Sequence, residues 1–135
     1  VTNSSAVGIG NAGVTALTFD TEQFDLDNMH SGATLPSRLT INTPGYYLFV
    51  GNVAFAANAV GLRRVAVRLN GATLIGEIQI LGLTAGVAAE YNVSAIYGMT
   101  TNDYAELVVR QDSGATLNTA TNPDASPSFS AMLIK

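Results

Sequence analysis

The chain has 135 residues, 47% hydrophobic and only 12% charged, with six Lys or Arg against ten Asp or Glu and a net charge of −4. That balance argues against a nucleic-acid partner, which needs clustered basic side chains, and the lack of cysteine rules out disulfides, thiolate chemistry and Cys-based zinc sites. Ordinary soluble domains are about 25% charged, so part of this surface is expected to lie against another copy or a partner.

The opening stretch VTNSSAVGIGN has neither the basic nor the apolar region of a signal peptide. It reads as a flexible arm over residues 1–12, ahead of a single domain over 13–135. Within the arm, Val1, Thr2, Val7, Ile9 and Asn11 are the residues expected to order on a partner surface. Val1 is small enough to follow a removed initiator Met, which would make the chain a complete gene product.

Helical periodicity is absent, and short β-rich runs alternate with turn signals, the pattern of an all-β antiparallel domain. The spacing predicts strands over residues 13–19, 38–42, 46–57, 62–69, 73–81, 90–99, 104–110 and 128–134. Asn70-Gly71 predicts a type I′ hairpin, because both central residues need positive φ. Thr43-Pro44-Gly45 suits a type II turn, and Thr101-Asn102-Asp103 a tight join. Counting reversals puts these three turns and both termini at one end, and the long connections 20–37, 82–89 and 111–127 at the other. No apolar run is long and clean enough for a membrane span.

The run YYLFVGNVAFAA over residues 46–57 carries no charge and is apolar on both alternating faces. An antiparallel sheet normally wets one face, so the second face needs a cover. Tyr47, Phe49, Val53 and Phe55 form one set, and Tyr46, Leu48, Val50, Asn52, Ala54 and Ala56 the other. The last strand divides likewise, with Phe129, Ala131 and Leu133 on one side and Met132 and Ile134 on the other.

Candidate chemistry is sparse. Asp20, Glu22, Asp25 and Asp27 form an acidic string that could offer oxygen ligands to calcium, but the spacing matches no EF-hand, and a solvated acidic loop eased by Arg38 is the expectation. His30, the single histidine, is expected at the surface or in a hydrogen bond. No serine sits in a nucleophile elbow, Glu77 and Glu90 are expected to be solvent-facing strand charges, and no phosphate-binding Gly loop is present. Arg64 and Arg68 share a strand face and are expected to pair across the sheet with Glu77 or Glu106. An enzyme, a cofactor and a metal are therefore not expected. Asn3-Ser4-Ser5 and Asn92-Val93-Ser94 match the glycosylation acceptor pattern, which matters only in a secreted eukaryotic protein.

Several stretches together resemble the complement globular-head and tumour-necrosis-factor superfamily. In TPGYYLFVGNVAF, Gly45, Tyr47 and Phe49 match its G-x-Y-x-F. NDYAELVV resembles its D-x-V-x-L-x-V at Asp103, Ala105, Leu107 and Val109, FSAMLI is similar to its closing F-S-G-x-L, and Phe19 and Phe24 fit early aromatic positions. Ala105 and Ala131 depart from the pattern, and no collagen-like repeat precedes it. LTFDTEQFDLDNMH, RLTI and IYGMTTNDYAEL are more similar to versions of this fold on tailed-phage particles. The resemblance implies a TNF-like jelly-roll sandwich assembled as a homotrimer. It implies that Tyr46, Leu48, Val50, Asn52, Ala54, Ala56, Met132 and Ile134 form the trimer seam, with Asn52 satisfied by its symmetry mates. The expected role is a capsid decoration (cement) protein on the phage exterior, its arm contacting the major capsid protein or another virion protein. The alternative is a fibre-tip or secreted, extracellular recognition module binding host-surface glycans or receptors. It would use apex loops holding Asp25, Asp27, His30, Asn118, Asn122 and Asp124.

Overall fold

A computed structural model describes residues 1–83, 88–121 and 126–135. The described residues form strands β1 (Gly8–Ile9), β2 (Val14–Ala16), β3 (His30–Ser31), β4 (Leu35–Thr40), β5 (Gly45–Phe55), β6 (Leu62–Leu69), β7 (Thr73–Leu81), β8 (Ala89–Met99), β9 (Tyr104–Gln111), β10 (Leu117–Asn118) and β11 (Ser128–Leu133). A front sheet has the order β11-β5-β8; a back sheet has the order β3-β4-β9-β6-β7, with β2 also on β9. β1 and β10 form a small ribbon beside them, and all the strand pairs are antiparallel. The eight expected strands are present; β1, β3 and β10, of two residues each, carry too little pattern to be read.

The core forms where the two sheets face each other. Tyr47, Phe49, Val53 and Phe55 point inward from β5, as their parity predicts, and meet Val65, Val67, Leu107 and Val109 from the back sheet. Phe49 links Tyr47 and Phe129 through offset rings, centroids 6.1 and 6.2 Å away, and Phe55 meets Tyr91 edge-on at 5.7 Å. Gly51 interrupts the inward row because Leu107 occupies the space its Cβ would need.

The turns hold two outcomes. Asn70 and Gly71 have φ of 48° and 72°, as a type I′ hairpin requires. Gly45 is not among the residues with positive φ, so the expected type II turn does not form. Gly45 is needed for space instead: a Cβ there would lie 2.5 Å from both Leu133 Cδ1 and the Lys135 carbonyl.

The expected free arm is built into the domain. Val1 and Phe129 exchange backbone hydrogen bonds of 2.9 and 3.0 Å, Thr2 bridges to Thr21 and Ser128, and the Asn3 N–H donates to the Pro127 carbonyl. Val7 N–H donates to Thr119 Oγ1 at 2.9 Å, and Ile9 is fully buried. Asn11 Oδ1 accepts from Gly114 N–H at 2.8 Å. β2 and β4 both pair antiparallel with β9 and so run the same way, which starts β2 at the far end and places residues 8–11 against 111–118, away from the tight turns.

Those turns do cluster. Thr101 Oγ1 donates to the Asn42 carbonyl, Asn70 Nδ2 to Asp103, and Tyr46 N–H to the Lys135 carbonyl. The acidic loop joins them rather than lying opposite, since Asp27 accepts from Thr43 N–H and Oγ1, both at 3.2 Å. The β3–β4 hairpin supplies the extra reversal that a single connection over 20–37 leaves out.

Candidate oligomer interface

The outer face of the front sheet is built in rows by strand register. Met132, Leu48 and Ile96 form one row, then Ser130, Val50 and Ser94, then Ser128, Asn52 and Asn92. Tyr46 stands beyond the first row with its ring against Gly98, where a Cβ would lie 3.4 Å from the ring. Tyr46, Ile96, Met132 and Ile134 are 60, 64, 60 and 51% exposed. The face is apolar toward the tight-turn end and polar toward the other.

Part of the expected seam is elsewhere. Ala54 is buried and Ala56 packs against the core where residues 118–120 pair along this end of β5: Ala120 N–H donates to the Ala54 carbonyl and Ala56 N–H to that of Asn118. Asn52 does not wait on symmetry mates, as its amide donates to Ser128 Oγ at 3.1 Å and accepts from Asn92 at 2.6 Å. Leu133 is 44% exposed rather than core. Ile96 is the main residue the sequence reading missed: its even parity in β8 was visible, but not that β8 lies beside β5.

Along the β11 side runs a cleft of about 560 Å³, walled by Phe24, Leu26 and Met29 opposite Leu48, Val50 and Met132. The expected apex residues do not converge. Asp25 accepts from Met29 and His30 N–H at 2.8 and 2.9 Å, and Asp27 caps Thr43 at the tight-turn end. Asn118 pairs with Gly8 at the opposite end. Asn122 and Asp124 lie outside the described residues. His30 is buried, with Nδ1 2.8 Å from Glu22 Oε1 and Nε2 3.2 Å from the Pro36 carbonyl. Among the described residues, no group of three or more His, Asp or Glu is placed to hold a metal ion.

The remaining charges are mostly structural. Arg64 pairs with Glu77 at 3.0 Å and Arg68 with buried Glu106 at 2.7 Å, matching their shared strand face. Arg38 lies 3.8 Å from Glu106 and over the Tyr104 ring, so it does not ease the acidic loop. Arg63 is buried, its guanidinium donating to the carbonyls of Asn58, Val60 and Leu62. Asp20 accepts from Ser4 N–H, Ser4 Oγ and Thr21 Oγ1, which hold its carboxyl below the usual aspartate range.

No protein-family model matches the chain, and no curated relative matches it. Solved structures do. The globular domain of zebrafish complement 1qA protein superposes with a TM-score of 0.59 at 14% identity, over 96% of this chain and 97% of that one. Murine APRIL at pH 8.5 gives 0.70 at 10% identity, over 98% and 94%, and at pH 5.0 gives 0.68 at 11%, over 98% and 95%. The fold is a TNF-like jelly roll. At these identities the likeness is one of fold alone. The jelly roll accounts for the inward row of β5, and among the described residues the outer face of the front sheet stays exposed at Tyr46, Ile96 and Met132.

Proposed function

We propose that this jelly roll is a non-enzymatic, homotrimeric structural protein of a tailed-phage virion, a capsid decoration protein on the outside of the particle. The observation that carries the reading is the uncharged outer face of Tyr46, Leu48, Val50, Ile96 and Met132, which a neighbouring copy would cover. Trimerisation would bury it as obligate interfaces do, with a core more apolar than the rim. The low charge of the chain and its resemblance to phage versions of the fold favour a virion partner over a soluble ligand. Three subunits present three copies of each contact, so weak contacts to a capsid combine through effective concentration. With residues 1–12 built into the domain, the capsid contact moves to exposed side chains at the end opposite the tight turns, where Val60 and Leu81 are 60 and 68% exposed.

Light scattering on dilution, followed by co-sedimentation with assembled capsids of the source virus, tests the reading. A stable trimer that saturates capsids without calcium is expected. A monomer, or calcium-dependent binding to a glycan array with no affinity for capsids, would overturn it, and the latter would favour the recognition module.

A further inference from the structure

The loop between β2 and β3 is an apolar finger on a fixed mount. Leu26 is 97% exposed and Phe24 67%, yet their backbone is pinned. The Asp25 carboxylate accepts two backbone N–H groups, Asp27 is tied to Thr43, and Asn42 Nδ2 donates to the carbonyls of Asp27 and Asn28 at 2.6 and 3.1 Å. A loop whose backbone is already held loses little backbone freedom on docking, so its exposed apolar side chains favour association.

Its position limits what it can meet. The finger stands on the β11 side of the outer face, across the cleft from Met132. Ile96 stands on the β8 side of the same face, with Tyr46 beside it over Gly98. Both features lie at the tight-turn end. A three-fold ring is closed by heterologous contacts, in which one patch meets a different patch on the next copy. Rotation about an axis running along the sandwich preserves height and brings the β11 side of one copy to the β8 side of the next. Of the other exposed apolar side chains described, the two most exposed, Val60 and Leu81, lie at the wrong level.

We propose that Phe24 and Leu26 of one protomer seat against Ile96 and the Tyr46 ring of the next, closing the trimer at its tight-turn end. This rests on the trimeric reading of the outer face. The stretch 94–102, which presents Ile96 and Gly98 at the receiving corner, carries no charge to oppose an apolar finger.

The absence of native cysteine makes site-directed cross-linking clean. A chain carrying both L26C and I96C, treated with a short bismaleimide at low protein concentration, should give covalent dimers and trimers on a denaturing gel. The single variants L26C and I96C should stay monomeric there, because a heterologous contact does not bring a residue to its own copy. Independently, Leu26→Ser should raise the concentration at which the trimer dissociates at least tenfold with an unchanged circular dichroism spectrum. A wild-type trimer whose double variant does not cross-link, or whose dissociation ignores Leu26→Ser, overturns the finger contact alone. Single variants that cross-link as well as the double overturn it too. A wild-type monomer overturns the trimeric reading, and this contact with it.

Discussion

Ile9 sits in a stretch of Gly, Ser and Asn, and it is nevertheless a core residue, fully buried, with its carbonyl held by Gln111 Nε2 at 2.9 Å. Ile9→Ala should lower unfolding stability by about 2–5 kcal/mol, read as a shift of the urea midpoint; a free arm would leave the midpoint unchanged. The alternation of Val7 and Ile9 was present to be read, but two apolar residues among small polar ones are as common in a frayed terminus. Gly51 is the converse case. Its reason is the volume of Leu107, 56 residues further along the chain, and no local pattern carries that. Gly51→Ala should cost about 1–3 kcal/mol through overpacking, measured by the same denaturation.

Two of the three tight turns were the most legible elements, since Asn-Gly and the Asp103 bend act through local backbone chemistry, whereas the turn at Gly45 was misjudged. Asp103 accepts from Thr100 N–H at 2.8 Å, Thr100 Oγ1 at 2.7 Å and Asn70 Nδ2 at 2.8 Å, which hold its carboxyl below the usual aspartate range. A pKa depressed in the folded state contributes stability above the unfolded value, and that contribution is lost as pH falls through the folded one. The wild type should therefore lose thermal stability below about pH 4 more steeply than Asp103→Asn, in melts followed from pH 6 to pH 2. The long β5 was legible from its two apolar faces. Its neighbour was not, because pairing with β8 rather than β4 or β6 is decided by how the whole sandwich closes. The two-residue strands were invisible for lack of period. Missing β3 leaves out one reversal, which moves Asp27 and residues 8–11 to the ends opposite their expected places.

At the scale of the molecule, the sequence signals agree on a jelly roll whose front sheet is apolar on both sides, and the candidate seam was legible only as far as β5 and β11. Leu48→Asp places a charge at the centre of the row formed by Met132, Leu48 and Ile96. It should convert a trimer to a folded monomer in light scattering, with the β-sheet circular dichroism unchanged. Ala54→Ser should leave the mass unaltered, because its side chain is covered by its own chain. The finger at Leu26 had no counterpart in the sequence reading, where the acidic loop was weighed for its carboxylates rather than for the apolar residues between them.

The pairing of β11 with β5 also has a consequence in time. The Asn52–Ser128 contact spans 76 residues, and the Val1–Phe129 contact 128. Chains dominated by such distant pairings fold slowly, commonly in milliseconds to seconds, and on the ribosome the front sheet stays incomplete until β11 has been synthesised. The outer face, whose first row includes Met132, therefore comes into being last. Nascent or interrupted chains that lack β11 cannot present it to a finished copy, which would restrict the proposed association to chains that have completed the sandwich.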